Sequence, residues 1–186
     1  MAIDAKKLTY EDFLQLPETT RRFEVVDGEL LYMSPSPTPQ HQRVSRNLFR
    51  LLDGFVVGQT LGEVLYAPLD VLVQREPLRT RQPDILYVSA ERQSIIGSQH
   101  VEAGPDLVVE VLSPGTTRVD VDMEAKLEDY WTLGVHECWL VSPEGRTVEV
   151  LRHATSGFER TGLYGVGDIL ISSVLPELHI NVVDIW

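Results

Sequence analysis

The stretch Gly104-Pro105-Asp106-Leu107-Val108-Val109-Glu110-Val111-Leu112-Ser113-Pro114 constrains this chain more than any other. Prolines bracket a run that is almost wholly apolar and rich in valine. Its length and β-branching suit a buried strand and not a helix. Glu110 interrupts the run. An ionised carboxylate in such a place needs a cation, a hydrogen-bond donor or a metal ion beside it.

A buried strand needs covering layers, and the neighbouring sequence supplies them. Thr9 followed three residues later by Asp12 reads as a capped short helix. Phe23 to Met33 (FEVVDGELLYM) reads as an N-terminal β-hairpin turning at Asp27-Gly28. Ser34 to Pro39 reads as an extended, proline-rich loop. Apolar residues at 44, 48, 51, 52, 55 and 56 form a helical stripe. Gly62 to Val73 reads as one long strand, Pro83 to Val88 as another, and residues 106–112 as the featured one. A helix from about Val119 to Thr132 closes at Gly134, and Glu137 to Val141 is again a strand. Shorter strands are expected at Val148 to Arg152, near Phe158, and at Ile169 to Ile171. This order predicts an α/β fold with helices on the faces of a sheet. At 186 residues the expectation is a single domain spanning 1–186.

The net charge of −12 argues against a general nucleic-acid coat. Arg43, Arg46, Arg50, Arg75, Arg79 and Arg81 all lie in the first half of the chain, and charge alone reads them as solvated surface residues. The opening MAIDAKKLTYEDFLQLPE is charged throughout and does not read as a signal peptide. No run approaches the roughly 20 apolar residues of a membrane helix. A cytoplasmic protein with no membrane association is expected. Cys138 is the lone cysteine and reads as a core residue. The histidines have no zinc-ligand spacing.

Three residues form a chemical set in chain order. Pro83-Asp84 opens one strand, Glu110 lies within the next, and Lys126 sits on the helix after that. Two carboxylates on neighbouring strands suit a hard divalent cation, which polarises a phosphoryl oxygen and acidifies a water. An ammonium nearby orients that water or offsets developing charge. At ~100° per residue, Lys126 falls on the edge of the helix face that carries Met123, Leu127 and Tyr130. The same lysine also suits an exposed ion pair with Asp122, of small energetic worth. Asp70 and Glu63, in the long strand, are candidate accessory carboxylates. Asp106 is a candidate for capping or orienting the featured strand. Gln40 and His41 begin the first long helix, where a phosphate can bind, although a solvated His41 is the simpler reading. Glu24 reads as a cross-strand partner in the hairpin.

Taken together, RRFEVVDGELLYMSPSPTPQHQRV, GEVLYAPLDVLV, QPDILYVS and PDLVVEVLSPGTTRVDVDMEAKLEDYWTLGVHECWLVSP resemble the Uma-type restriction endonuclease family of the PD-(D/E)xK nuclease superfamily. The resemblance covers nearly all of the chain after residue 20. It implies a restriction-endonuclease-like mixed β-sheet flanked by helices, with Asp84 and Glu110 as the metal-binding acids and the Val111 carbonyl completing the shell. It implies Mg2+ or Mn2+ as cofactor, DNA as substrate, and a homodimer to cut both strands. In the superfamily the lysine usually follows the second acid by two residues, where this chain has Leu112. Lys126 takes that role here by resemblance. The competing expectation is a catalytically weak or inactive nuclease-fold protein that serves in binding or dimerisation.

Overall fold

Periodicity explains the first elements of the computed structural model, which describes residues 7–17, 23–32, 37–113 and 117–186. Helix α1 (Tyr10–Leu14) starts on a capping box between Thr9 and Asp12. Strands β1 (Phe23–Val26) and β2 (Glu29–Tyr32) pair antiparallel around Asp27 and Gly28. Both turn residues have positive φ, 52° and 79°, as a type I′ turn requires. Gly28 admits no side chain: a Cβ there would lie 2.8 Å from that of Lys7. Helix α2 (Pro39–Gln59) buries His41, Val44, Leu48, Leu52 and Val56 along one stripe. The proline-rich loop expected before it, and Met33 at the hairpin's end, fall mostly outside the described residues.

The long strand expected over Gly62 to Val73 is two strands, β3 (Gly62–Tyr66) and β4 (Val71–Arg75). The backbone N–H of Ala67 still reaches the carbonyl of Asp84, at 3.0 Å. Pro68 has no N–H to extend that ladder. Beyond it the chain leaves the sheet, and β4 pairs with β5 (Leu78–Arg81) instead. Two of the four residues of β5 are arginines, so the sequence offers no apolar strand signal there. Strand β6 (Ile85–Ser89) then leads through a 3-10 turn to β7 (Leu107–Val111), the featured strand. Helix α3 (Thr117–Thr132) ends before Gly134, whose φ is 73°. Strands β8 (Glu137–Ser142), β9 (Thr147–Ala154), β10 (Gly157–Tyr164), β11 (Ile169–Ile171) and β12 (His179–Asn181) complete the order.

Six strands form the central sheet, in the order β10-β9-β8-β7-β6-β3. Only the β7–β8 pair is parallel, and α3 makes the crossover between them. The sheet is therefore mixed and flanked by helices, as expected. Leu107, Val109 and Val111 face the core under α2, together with Trp139 and Val141. Val108 packs in a second core with Tyr130, Leu86 and Cys138, under α3. Strand alternation thus sends Glu110 toward α3. A third small core of Val25, Leu72 and Leu78 joins the hairpin to the β4–β5 ribbon. Among the described residues no helix is long and apolar enough to cross a membrane.

Candidate active site

The register of β6 on β7 fixes where the two acids meet. Ile85 pairs with Val109, so Val111 lies opposite Pro83. Proline has no N–H for the Val111 carbonyl, and the Val111 N–H donates instead to Oδ2 of Asp84, at 2.8 Å. Asp84 is thereby tied to the end of the strand that carries Glu110. His41, in the first turn of α2, brings Nε2 to 3.2 Å from the same Asp84 oxygen. It is 7% exposed, so the solvated reading of His41 is corrected: the helix stripe carries it inward.

Glu110 is held from α3. Lys126 donates to both of its carboxylate oxygens at 3.2 Å, and the Tyr130 hydroxyl donates to Oε1 at 2.6 Å. Lys126 and Tyr130 are one helical turn apart, so a single face of α3 delivers both. Lys126 is 4% exposed, which settles its orientation: it points at Glu110 and not into solvent beside Asp122.

A second layer of charge backs this pair. Glu24, on β1, accepts from Arg81 at 2.9 Å and from the Gln82 N–H at 3.0 Å, and lies 3.6 Å from Lys126. Arg81 also donates through Nε to Asp129 of α3 at 2.6 Å. Arg79 joins Asp129 to Asp27, at 2.8 and 2.5 Å. Arg81 is 1% exposed, so the surface reading of Arg81 is corrected: the carboxylates of β1 and α3 draw it into the interior. Arg79 is half-buried, at the outer edge of this network.

The remaining candidates divide by position. Asp70 accepts from the Gln82 side chain at 3.2 Å, beside the residue that holds Glu24. Gln40 donates to the Pro143 carbonyl at 3.2 Å and pins the start of α2 to the end of β8. Asp106 accepts from the Ser89 N–H and from Arg92, at 2.8 and 2.9 Å. It starts the featured strand, four residues or about 13 Å from Glu110. Glu63 is exposed opposite Val88 on β6. Neither of these last two is brought to the Asp84–Glu110 end. Sequence reasoning missed Tyr130, Arg81 and the inward role of Glu24. For Tyr130 the signal was available, four residues after Lys126 on a helix.

The electrostatics follow from this packing. Burial pushes the Glu110 carboxyl up from 4.5 to about 7; Lys126 opposes the rise and the charge of Asp84 adds to it. Burial favours loss of the Lys126 proton, but Glu110 and Glu24 outweigh it and hold the ammonium above its ordinary range. Burial likewise favours protonation of Glu24, yet Lys126 and Arg81 keep it below the usual carboxylate value. Burial raises Asp70. Lys126 is thus a fixed cation here and not a base.

The Uma2 family, described as "Putative restriction endonuclease", matches residues 10–183. The chain belongs to the Uma2 family. Its fold also matches a crystal structure of a "putative nuclease belonging to DUF820" from Anabaena variabilis ATCC 29413, at a TM-score of 0.76 and 21% identity, covering 96% of this chain and 97% of that one. No functionally curated protein matches. This Uma2 chain therefore carries the mixed-sheet nuclease fold, and the family match spans every residue of the charged cluster.

The donors suit a hard divalent cation. Asp84 and Glu110 meet at one end of the paired strands β6 and β7, where the adjacent Val111 carbonyl meets no N–H from Pro83. Among the described residues no three His, Cys, Asp or Glu side chains gather into a metal cage. Mg2+ and Mn2+ commonly use one or two carboxylates and keep several waters; a structural zinc site needs four protein ligands.

The raised Glu110 gives a pH prediction. Between 4.5 and about 7 the folded chain holds a proton at Glu110 that the unfolded chain releases. The contribution of Glu110 to stability is therefore greatest below 4.5 and is lost as pH rises through about 7. A divalent cation held at Glu110 would run the opposite way, because it would displace that proton. Titration calorimetry with Mn2+ at pH 6 in two buffers of different ionisation enthalpy should show release of about one proton per ion, falling toward none at pH 8.5.

Proposed function

We propose that this protein is a divalent-metal-dependent endonuclease that hydrolyses DNA phosphodiester bonds. The observation that carries this reading is the inward Lys126, set on Glu110 beside an Asp84 bound to the same strand end. A surface lysine would instead favour a nuclease-fold module without catalysis. Asp84, Glu110 and the Val111 carbonyl are the ligands for Mg2+ or Mn2+. When bound, the ion polarises a phosphoryl oxygen and lowers the pKa of water. Lys126 keeps a positive charge at the reacting centre, where its N–H groups orient the attacking water and offset charge on the phosphate. Tyr130 fixes the Glu110 carboxylate, and His41 fixes Asp84. Asp70 braces Gln82, whose N–H holds Glu24.

DNA is the substrate this charge layout suits. Arg43, Arg46 and Arg50 recur along one exposed face of α2, the helix whose first turn carries His41. Each Arg→Ser substitution there should lower the salt dependence of duplex binding by about one unit of log K against log salt. Fluorescence anisotropy on a 30-base-pair duplex over a salt series measures it. A homodimer would present one such site to each strand of a two-fold duplex.

The direct test is supercoiled plasmid incubated with the protein and Mg2+ or Mn2+, with and without EDTA. Nicked and linear products that vanish with EDTA are expected. Intact plasmid under every divalent ion would leave the binding-module reading in place of this one.

A further inference from the structure

Lys126 has two carboxylate partners, and only one of them is a ligand for the cation. Glu110 meets it at 3.2 Å and Glu24 at 3.6 Å. We propose, resting on the nuclease reading above, that Glu24 is the positioning residue of Lys126: it keeps the ammonium at the reacting centre once Glu110 turns its charge to the metal ion.

One oxygen of Glu110 already accepts from Tyr130 at 2.6 Å, and both accept from Lys126. A divalent ion on that carboxylate takes up its charge and repels the neighbouring ammonium. Lys126 is 4% exposed. A buried ammonium then requires another anion. Glu24 supplies it and cannot turn away. One of its oxygens is held by Arg81 and the other by the Gln82 N–H, from a strand end distinct from the one that carries Glu110. It is 2% exposed and out of reach of a substrate in solvent. Asp122, the other acid that acts on Lys126, has a side chain 46% exposed and is the weaker holder.

Glu24 could instead serve only to neutralise Arg81, and a double-mutant cycle separates the two roles. Glu24→Gln keeps acceptor oxygen for Gln82. The single-turnover rate at saturating Mn2+ should fall roughly 10- to 100-fold in the parent, with KM for duplex unchanged. In the Lys126→Met background the same substitution should change the rate by less than about twofold. Equal losses in both backgrounds would overturn the inference. A second measurement needs no cleavage. In crystals of Glu110→Ala, the Lys126 ammonium should remain on Glu24; in Glu110→Ala combined with Glu24→Gln it should leave. Departure from Glu24 in the single variant would overturn the inference, even if the parent proves unable to cut DNA. Failure of the parent to cut, with Lys126 still on Glu24, would count against the nuclease reading alone.

Discussion

Asp84→Asn should lower Mg2+-dependent DNA cleavage by about a thousandfold, since a lost metal ligand forfeits several kcal/mol of charge stabilisation. The substitution should leave the fold intact. An asparagine carbonyl oxygen still accepts from the Val111 N–H, the 2.8 Å contact that anchors Asp84. Glu110→Gln should act similarly. Its amide oxygen still accepts from Tyr130, but its NH2 faces Lys126, which now donates to both carboxylate oxygens. Plasmid nicking measures the rate, and Mn2+ titration calorimetry measures the ion. Both variants should lose the heat of Mn2+ binding, and Asp84→Asn should keep the parent's melting temperature within a few degrees. A variant that binds Mn2+ as the parent does, yet does not cut, would assign that acid to another task.

The second large effect is structural. Arg81→Met should destabilise the protein by about 3–5 kcal/mol, because it strands buried Glu24 and Asp129 without their shared cation. For a chain of this size that lowers the melting temperature by on the order of 10 °C. Arg75→Ala is the contrast. Arg75 pairs with Glu102 at 3.0 Å, but its side chain is 60% exposed, and its loss should cost under about 1 kcal/mol. Differential scanning calorimetry of both variants checks the difference. A near-parental Arg81→Met would mean that Glu24 and Asp129 find other donors.

These two sets of residues differ in how far the sequence reveals them. Glu110 announces itself locally, as a charge inside a valine-rich run, and Pro83-Asp84 precedes the neighbouring strand. The helical angle of Lys126 allows two orientations, and packing of α3 on the sheet decides between them. The mixed sheet is what the family resemblance implies, whereas the hairpin and both long helices follow from periodicity and turn chemistry. The backing network does not. Glu24 and Arg81 are 57 residues apart, and each looks like a surface residue in its own strand. Their burial comes from docking the hairpin against β5, a tertiary event with no local signature. Pro68 could have warned that the strand beginning at Gly62 would break, since it removes a ladder donor. Glu63 and Asp106 show the limit of reading acids near strands. Register, which sequence alone leaves open, places them away from the Asp84–Glu110 end.

The central claim is that Asp84, Glu110 and the Val111 carbonyl share one divalent ion beside Lys126. Anomalous diffraction from crystals soaked in Mn2+ tests it most directly. One manganese peak is expected, with Asp84, Glu110 and Val111 oxygens at roughly 2.0–2.6 Å and Lys126 still directed at it. A peak elsewhere, or none at millimolar Mn2+ above pH 7, would contradict it.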